Sequence, residues 1–475
     1  MVEAGDANLD SNPLNVIDIS SGNIAGDLKF GFSQQIGGSS NLWAGGLAKM
    51  DSIDLIGRRE FNSGDWPVGQ DELESLYKRV DHYVGINQST SDKSPEWRDF
   101  DVLKHTILDP RRMVELNTPY STSVLVTDNA NIKLFKNCSA TRLRLSDDNT
   151  SVEKIEIYDQ AKKQNIFISA KAYILASGTL TNVRILLHSL RSISNSISNL
   201  YNNIGRYFST HPKGNVGVIR LDKPLASDHF LFSVRKHSTH ISRFQFGLTE
   251  KALIQNQLLN HCLRFDSPFN HRATRIFDYI KNLLGSLPVT RSGKGALVET
   301  LANLGVLVYK VIDNIGTSGR SGKTLAVRAY FDQSASAENR IQLSDRKSQS
   351  GLPLATIDWR FNEDDWKNAE KFLSIFSDQL RANNLGGFLY KRPGPGEFTA
   401  IHSHFMGGTR IGPASDDSVV DNNLNVHGIR NLYVSGPSVF PSYGYANPFY
   451  TIAALSLRLG DHIYEKYRFA SNKSQ

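Results

Sequence analysis

The stretch from Ala172 to Leu190 constrains the fold more than any other part of the chain. Ala172-Tyr173-Ile174-Leu175-Ala176 is an unbroken apolar run of strand length, Ser177-Gly178-Thr179 interrupts it, and a helical pattern from Val183 to Leu190 follows. A buried-type strand that runs through a glycine turn into a helix is a building unit of α/β folds. The first turn of such a helix offers free N–H groups and the positive end of the helix dipole, so the unit suits a phosphate-bearing ligand. A glycine-rich stretch lies upstream, Ile36-Gly37-Gly38-Ser39-Ser40-Asn41-Leu42-Trp43-Ala44-Gly45-Gly46. Its glycines let backbone N–H groups approach a phosphate or a flat ring, although the same composition also makes an ordinary surface turn.

Other segments point to a second kind of structure. Apolar and polar residues alternate from Asn131 to Tyr158, which predicts paired strands with a turn near Asp147-Asp148-Asn149. Asp71 to Tyr77 reads as the start of an N-capped amphipathic helix with Leu73, Leu76 and Tyr77 on one face. The middle, from Lys213 to Glu397, mixes strand-like pieces with helical stretches at Ile276 to Leu287 and Ala296 to Ile315. A chain of 475 residues exceeds the size at which one core stops growing, so two domains sharing an interface are expected.

Charge and cysteine content narrow the function classes. The 54 Lys+Arg against 47 Asp+Glu give +7, but the basic residues are scattered and no nucleic-acid-binding motif accompanies them, so no nucleic acid partner is expected. Cys138 and Cys262, the only two cysteines, suggest neither a disulfide framework nor a metal cluster and fit a reducing compartment. No basic segment followed by an apolar run opens the chain, and no apolar run reaches the ~18 residues of a membrane span, so a cytoplasmic location is expected. Arg272, Arg275 and Lys281 beside the first middle helix would suit peripheral membrane contact, but a helix pair flanking a substrate pocket combines such features more often.

The most specific text is C-terminal. It runs Ile401-His402-Ser403-His404-Phe405-Met406-Gly407-Gly408-Thr409-Arg410-Ile411-Gly412, then Val434-Ser435-Gly436-Pro437-Ser438-Val439-Phe440-Pro441, then Tyr445-Ala446-Asn447-Pro448-Phe449. This order resembles the C-terminal signature of the glucose-methanol-choline (GMC) oxidoreductases. Further matches are Gly37-Gly38-Ser39-Ser40 with Trp43, Leu175-Ala176-Ser177-Gly178 with Arg184, and Ile204-Gly205-Arg206-Tyr207 with His211-Pro212. Oxidising an alcohol needs a base for the hydroxyl proton, a group that holds the oxygen, and an electron sink. Histidine suits the first role because its ordinary pKa lies near neutrality.

The resemblance implies that His404 is the base and that Asn447 donates to the substrate oxygen. His402, on the same side if the segment is extended, could claim the base role or support it. No side chain accepts a hydride, so the resemblance implies FAD, held noncovalently because Leu42 stands where some relatives bond a histidine to the flavin. Gly37, Gly38, Ser39, Asn41, Gly45 and Gly178 would line the pyrophosphate and flavin, and Gly436, Pro437, Pro448 and Phe449 would close the other side of the ring. The substrate implied is a small sugar-like or polyol alcohol, with the electron acceptor left open.

The implied architecture is α/β (α+β). A Rossmann-like FAD-binding domain, incomplete at its N-terminus, would comprise residues 1–60, 120–212 and 400–475, and a substrate domain of antiparallel sheet flanked by helices would comprise residues 61–119 and 213–399. The family begins with a strand, a Gly-x-Gly-x-x-Gly turn and a helix, which this sequence lacks. Val2-Glu3-Ala4-Gly5 resembles the end of the next strand, which gives Glu3 the role of holding the adenosine ribose. A truncated gene product or a start placed too far downstream is the expected reason. The alternative, from another class, is a truncated noncatalytic homologue that binds ligand without functional FAD; the absent motif favours it, and the retained His404 and Asn447 oppose it.

Overall fold

The fold is taken from a computed structural model, which describes residues 1–6, 17–22, 33–41, 45–86, 107–116, 129–193, 197–222, 235–236, 240–266, 324–393 and 404–471. The two middle helices, Leu42 and His402 lie outside the described residues.

Among these residues the largest sheet has eight strands. Its order is Gly387–Tyr390, Lys213–Arg220, Thr324–Tyr330, Cys262–Asp266, His240–Leu248, Leu108–Leu116 and Gly46–Leu47, with Arg235–Lys236 paired to His240–Leu248. All its pairings are antiparallel. Because side chains alternate along a strand, register sorts them into two unlike faces. Phe246, Leu263, Phe265 and Val327 share one face through the pairs Phe246 with Leu263 and Phe265 with Val327. The Glu363–Ala382 helix covers that face: Trp366, Ala369, Phe372, Leu373, Phe376 and Leu380 recur at helical spacing and are buried. Phe376 lies 6.0 Å from Phe265 and 6.4 Å from Phe388, ring to ring. Each such buried aromatic or aliphatic side chain contributes about 1.5–3 kcal/mol. An Asn362–Asp365 capping box starts the helix. The opposite face carries Gln245, Cys262, Arg264, Arg328, Tyr330 and Lys213.

The α/β unit is also present. Tyr173–Leu175 pairs in parallel with Leu432–Val434, and each strand ends in a glycine turn, at Gly178 and at Gly436. The Thr179–Leu190 helix follows and is buried on nearly every side. It packs between the Cys138–Leu145, Val152–Asp159 and Gln164–Ile168 sheet and the hairpin of Arg340–Lys347 and Pro353–Trp359, to which Ile17–Gly22 adds in parallel. One expectation is corrected here. The Tyr173–Leu175 strand is not buried on both sides, because Ile174 is 49% exposed: the two-stranded pair leaves that face open among the described residues.

The predicted hairpin turns at Asp147 to Asn149, with Asn149 in the left-handed region at φ 59°. Ile132 to Phe135 does not join it, since Phe135 bridges Val2 instead. The helix expected at Asp71 spans Gln70–Val84; its N-cap is Gly69, without a side-chain capping bond, and Asp71 sits in the first turn, where the dipole favours it. It packs on the Phe449–Ser471 helix through stacked Tyr77 and Tyr450, whose rings are 4.2 Å apart. Both cysteines are buried free thiols. Among the described residues no helix is long and apolar enough to cross a membrane.

Arg184 ties the Thr179–Leu190 helix to the hairpin. Its Nε donates to Pro353 O at 2.7 Å and its guanidinium to Leu352 O at 3.4 Å, and burial pushes its pKa down to about 10. Arg184→Met would remove the guanidinium donor to Pro353 O, at a cost of about 1–3 kcal/mol, while Leu352 O keeps Ser348 N and Oγ, each at 3.0 Å. The expected result is a lowered urea midpoint with an unchanged slope; a midpoint equal to wild type would show that the guanidinium adds no stability.

Candidate active site

The segment after His404 is threaded between two others. Met406 and Ser209 exchange backbone hydrogen bonds at 2.9 Å in each direction, Gly408 N donates to Arg206 O at 3.0 Å, and Gly407 N donates to Pro437 O at 3.1 Å. The threading fixes His404 against His211, with Nδ1 to Nδ1 at 3.0 Å and the rings nearly perpendicular at 85°. The second nitrogen of His211, Nε2, faces the carbonyl of Tyr443 at 3.4 Å.

These contacts select the tautomers. A carbonyl only accepts, so neutral His211 carries its proton on Nε2 and its Nδ1 must accept. His404 therefore donates from Nδ1, which leaves its Nε2 as an unprotonated lone pair. Both rings are held neutral. Burial pushes His211 down to about 3, helped by the charge of Lys213. His404 is held well below the ordinary value by burial, then by Lys213 and His211.

Asn447 sits at the end of the Ser442 to Asn447 loop, which is anchored at several points. Ser442 Oγ accepts from Trp66 Nε1 and donates to the Asp54 carbonyl, both at 2.6 Å. The Arg111 guanidinium lies 4.6 Å over the Tyr445 ring, and Tyr445 packs with Cys262 and Tyr330 of the polar sheet face. Asn447 Nδ2 donates to Gly46 O at 3.3 Å and lies 3.9 Å from Met113 Sδ. A Cβ on Gly46 would stand 2.6 Å from that Nδ2, so the close approach requires glycine. The loop thus joins the His404 and His211 pair, through Tyr443, to Asn447 and the edge strand Gly46–Leu47.

The residues expected to hold a cofactor fall in two groups. Gly178 and Gly436, at φ 79° and 116°, end the paired parallel strands, and Pro437 is tied to Gly407. Gly37, Gly38, Ser39 and Asn41 form a tight turn and the 3-10 helix Gly38–Asn41, with Gly38 N donating to Gln35 O at 2.7 Å and Asn41 Nδ2 to Ile36 O at 2.9 Å. Glu3 lies beside this turn, because Ile36 N donates to Asp6 O at 3.0 Å and Gln34 Nε2 to Ala4 O at 2.7 Å. The Glu3 carboxylate accepts from Gly5 N at 3.2 Å, and burial raises its pKa. Gly45 packs against Leu116 on the sheet edge, and Pro448 with Phe449 opens the C-terminal helix, where Ile452 N donates to Pro448 O at 2.9 Å.

The strand end at Gly178 leaves room for a phosphate-bearing cofactor such as FAD. A Cβ at Gly178 would meet nothing within 4 Å, so the strand end opens onto free space, and ligands of open α/β sheets bind outside the carboxyl ends of parallel strands. The sequence alone gives His211 and Lys213 no role. The only signal was the His211-Pro212 pair, whose partner is 193 residues away.

A family model described as GMC oxidoreductase matches residues 335–456. Through this C-terminal part, the chain is similar to the GMC oxidoreductases. GMC oxidoreductases are FAD-dependent. The 2-methyl-1,2-propanediol dehydrogenase of Mycolicibacterium austroafricanum is 32% identical over 128 residues, 26% of this chain and 22% of that protein. The pyranose 2-oxidase of Lyophyllum shimeji is 23% identical over 441 residues, 84% of this chain and 66% of that protein. The chain therefore matches less than two thirds of the length of either relative. The solved pyridoxine 4-oxidase from Mesorbium loti has the same fold, with a TM-score of 0.54 and 16% identity over 98% of this chain and 94% of that one. A FAD-dependent oxidoreductase from Chaetomium thermophilum aligns with a TM-score of 0.54 and 14% identity over 98% of this chain and 94% of that one.

The protonation of this histidine pair can be measured directly. In a pH titration of ring ¹⁵N shifts, His211 should protonate only near pH 3 and His404 well below 6.5, both staying neutral through the range where ordinary histidines titrate. Protonation of either ring near 6.5 would contradict the buried, hydrogen-bonded pair.

Proposed function

We propose that the chain is a FAD-dependent oxidoreductase that oxidises a CH–OH group of a sugar-like or polyol alcohol. The observation that carries this reading is the chain of hydrogen bonds from Tyr443 O through His211 to His404. It leaves a lone pair on His404 Nε2, in the same anchored assembly as the Asn447 amide. Bound FAD would supply the acceptor for the hydride leaving the alcohol carbon. His404 Nε2 would take the hydroxyl proton, and Asn447 Nδ2 would donate to the oxygen as negative charge builds on it.

The cofactor would be held noncovalently by Glu3, Gly37, Gly38, Ser39, Asn41, Gly45, Gly178, Gly436, Pro437, Pro448 and Phe449. Residues 1–60, 120–212 and 400–475 would form its domain, and residues 61–119 and 213–399 the substrate side. His211 would act as a positioning residue that fixes the tautomer of the base.

Anaerobic mixing of the FAD-loaded chain with a panel of sugars and polyols tests the proposal. Wild type should bleach the flavin with at least one of them, and His404→Ala should slow that reduction by at least ~10²-fold. No bleaching with any alcohol, or equal rates in the variant, would refute it. The neutral form of His404 is the active one and its pKa lies well below 6.5, so the rate at saturating substrate should hold its plateau below pH 6.5 and fall only at more acid pH. An acid limb at or above 6.5 would assign the base role elsewhere.

A further inference from the structure

Asn447 is held only loosely by its own contacts. Its Nδ2 donates to Gly46 O across 3.3 Å and reaches Met113 Sδ at 3.9 Å, long contacts that leave the direction of the amide to the loop that carries it. Ser442 fixes the start of that loop, through Trp66 Nε1 and the Asp54 carbonyl. Its far end meets Arg111.

Arg111 lies in the Leu108–Leu116 strand and is 6% exposed. Its Nε donates to Asp109 at 3.2 Å, and its Nη2 donates to Leu248 O at 3.1 Å and lies 3.3 Å from Asp51. Partners on several sides of the fork keep the guanidinium plane from turning. Its face lies against the Tyr445 ring, with Cζ 4.6 Å from the ring centre. A Cβ at Gly247 would stand 2.3 Å from Cζ, so the neighbouring strand needs glycine there for the group to fit. Nη1 is buried and has no hydrogen-bond partner. A buried cation with an unused donor is costly, and an apolar side chain would fill the place without that cost. What an apolar side chain lacks is a rigid charged plane for an aromatic ring.

The same strand reaches Asn447 as well. Side chains two apart on a strand share a face, so Met113 follows Arg111 on the side turned toward the loop, and Gly46 pairs with Glu115 two residues further on. Asp51, the acid beside Arg111, caps the Ser52–Leu55 turn that contains Asp54. The supports of Ser442 and of Tyr445 are thus one connected group.

We propose that Arg111 is a positioning residue for alcohol oxidation: by clamping the Tyr445 ring it aims the Asn447 amide at the substrate oxygen. It acts through the loop and not on the substrate. The inference rests on the alcohol-oxidation reading for what Asn447 does, and on the contacts alone for how Asn447 is held.

Arg111→Lys keeps the charge facing Asp51 and Asp109 and removes the plane that stacks on Tyr445. In the FAD-loaded full chain it should slow flavin reduction at saturating alcohol by at least ~10-fold with KM little changed, because the donor it aims acts in the transition state. In an Asn447→Ala background the same substitution should add less than ~2-fold, since the group being aimed is gone. Apart from activity, ¹⁵N spectra should show the Asn447 side-chain amide, identified by its loss in Asn447→Ala, displaced in Arg111→Lys. The ring signals of His404 and His211 should keep their places, because Ser442 holds that end of the loop. Tyr445→Leu, which leaves the ion pairs of Arg111 intact, should reproduce both effects and serves if Arg111→Lys does not fold. Tyr445→Phe, which keeps the ring, should lose less than Tyr445→Leu. An Asn447 amide unmoved by these variants, full additivity with Asn447→Ala, or histidine signals displaced along with the amide would overturn the proposal. An amide displaced as expected, in a chain that no alcohol reduces, would support the clamp on Asn447 and refute the oxidation reading alone.

Discussion

The hydrogen bond between the two Nδ1 atoms of His211 and His404 governs what this site can do, and it is lost once both rings are protonated. Two imidazolium ions 3.0 Å apart would have no acceptor between them and would repel in a site with little water. Burial excludes that state, and the nearby charge of Lys213 makes it less favourable still. The direction of the bond then follows from a single backbone carbonyl, Tyr443 O. One loop thus fixes the protonation pattern of a side chain on another segment.

The same loop docks on the polar one of the sheet's two unlike faces. The apolar face is covered by the Glu363–Ala382 helix through aromatic packing, which holds the strands in register. Register then places Cys262 and Tyr330 where Tyr445 can dock. The docking sets Asn447 against Gly46, a contact across 401 residues. Packing on one side of the sheet therefore fixes the geometry of the polar side, where the cations lie.

The sequence made part of this visible. The strand, glycine turn and helix around Gly178 and the hairpin around Asn149 are local patterns, and local periodicity records them well. His404 and Asn447 were found through an extended motif, which carries spacing but not partners. The pairing of His211 with His404 was invisible because nothing nearby in sequence marks it. Arg328 and Lys213 sit in strands whose alternation is readable, yet only register shows that they share a face with Arg264. The exposure of Ile174 was missed for a similar reason: an apolar run records what a strand can bury, and its neighbours decide how much of it is covered.

The measurement that bears most directly on this account is a crystal structure of the FAD-loaded chain with an alcohol analogue bound. The account predicts that the analogue's oxygen lies within about 3 Å of both His404 Nε2 and Asn447 Nδ2, with His404 Nδ1 still bonded to His211. An oxygen bound away from these two atoms, or a His404 ring turned so that Nδ1 faces the ligand, would contradict it.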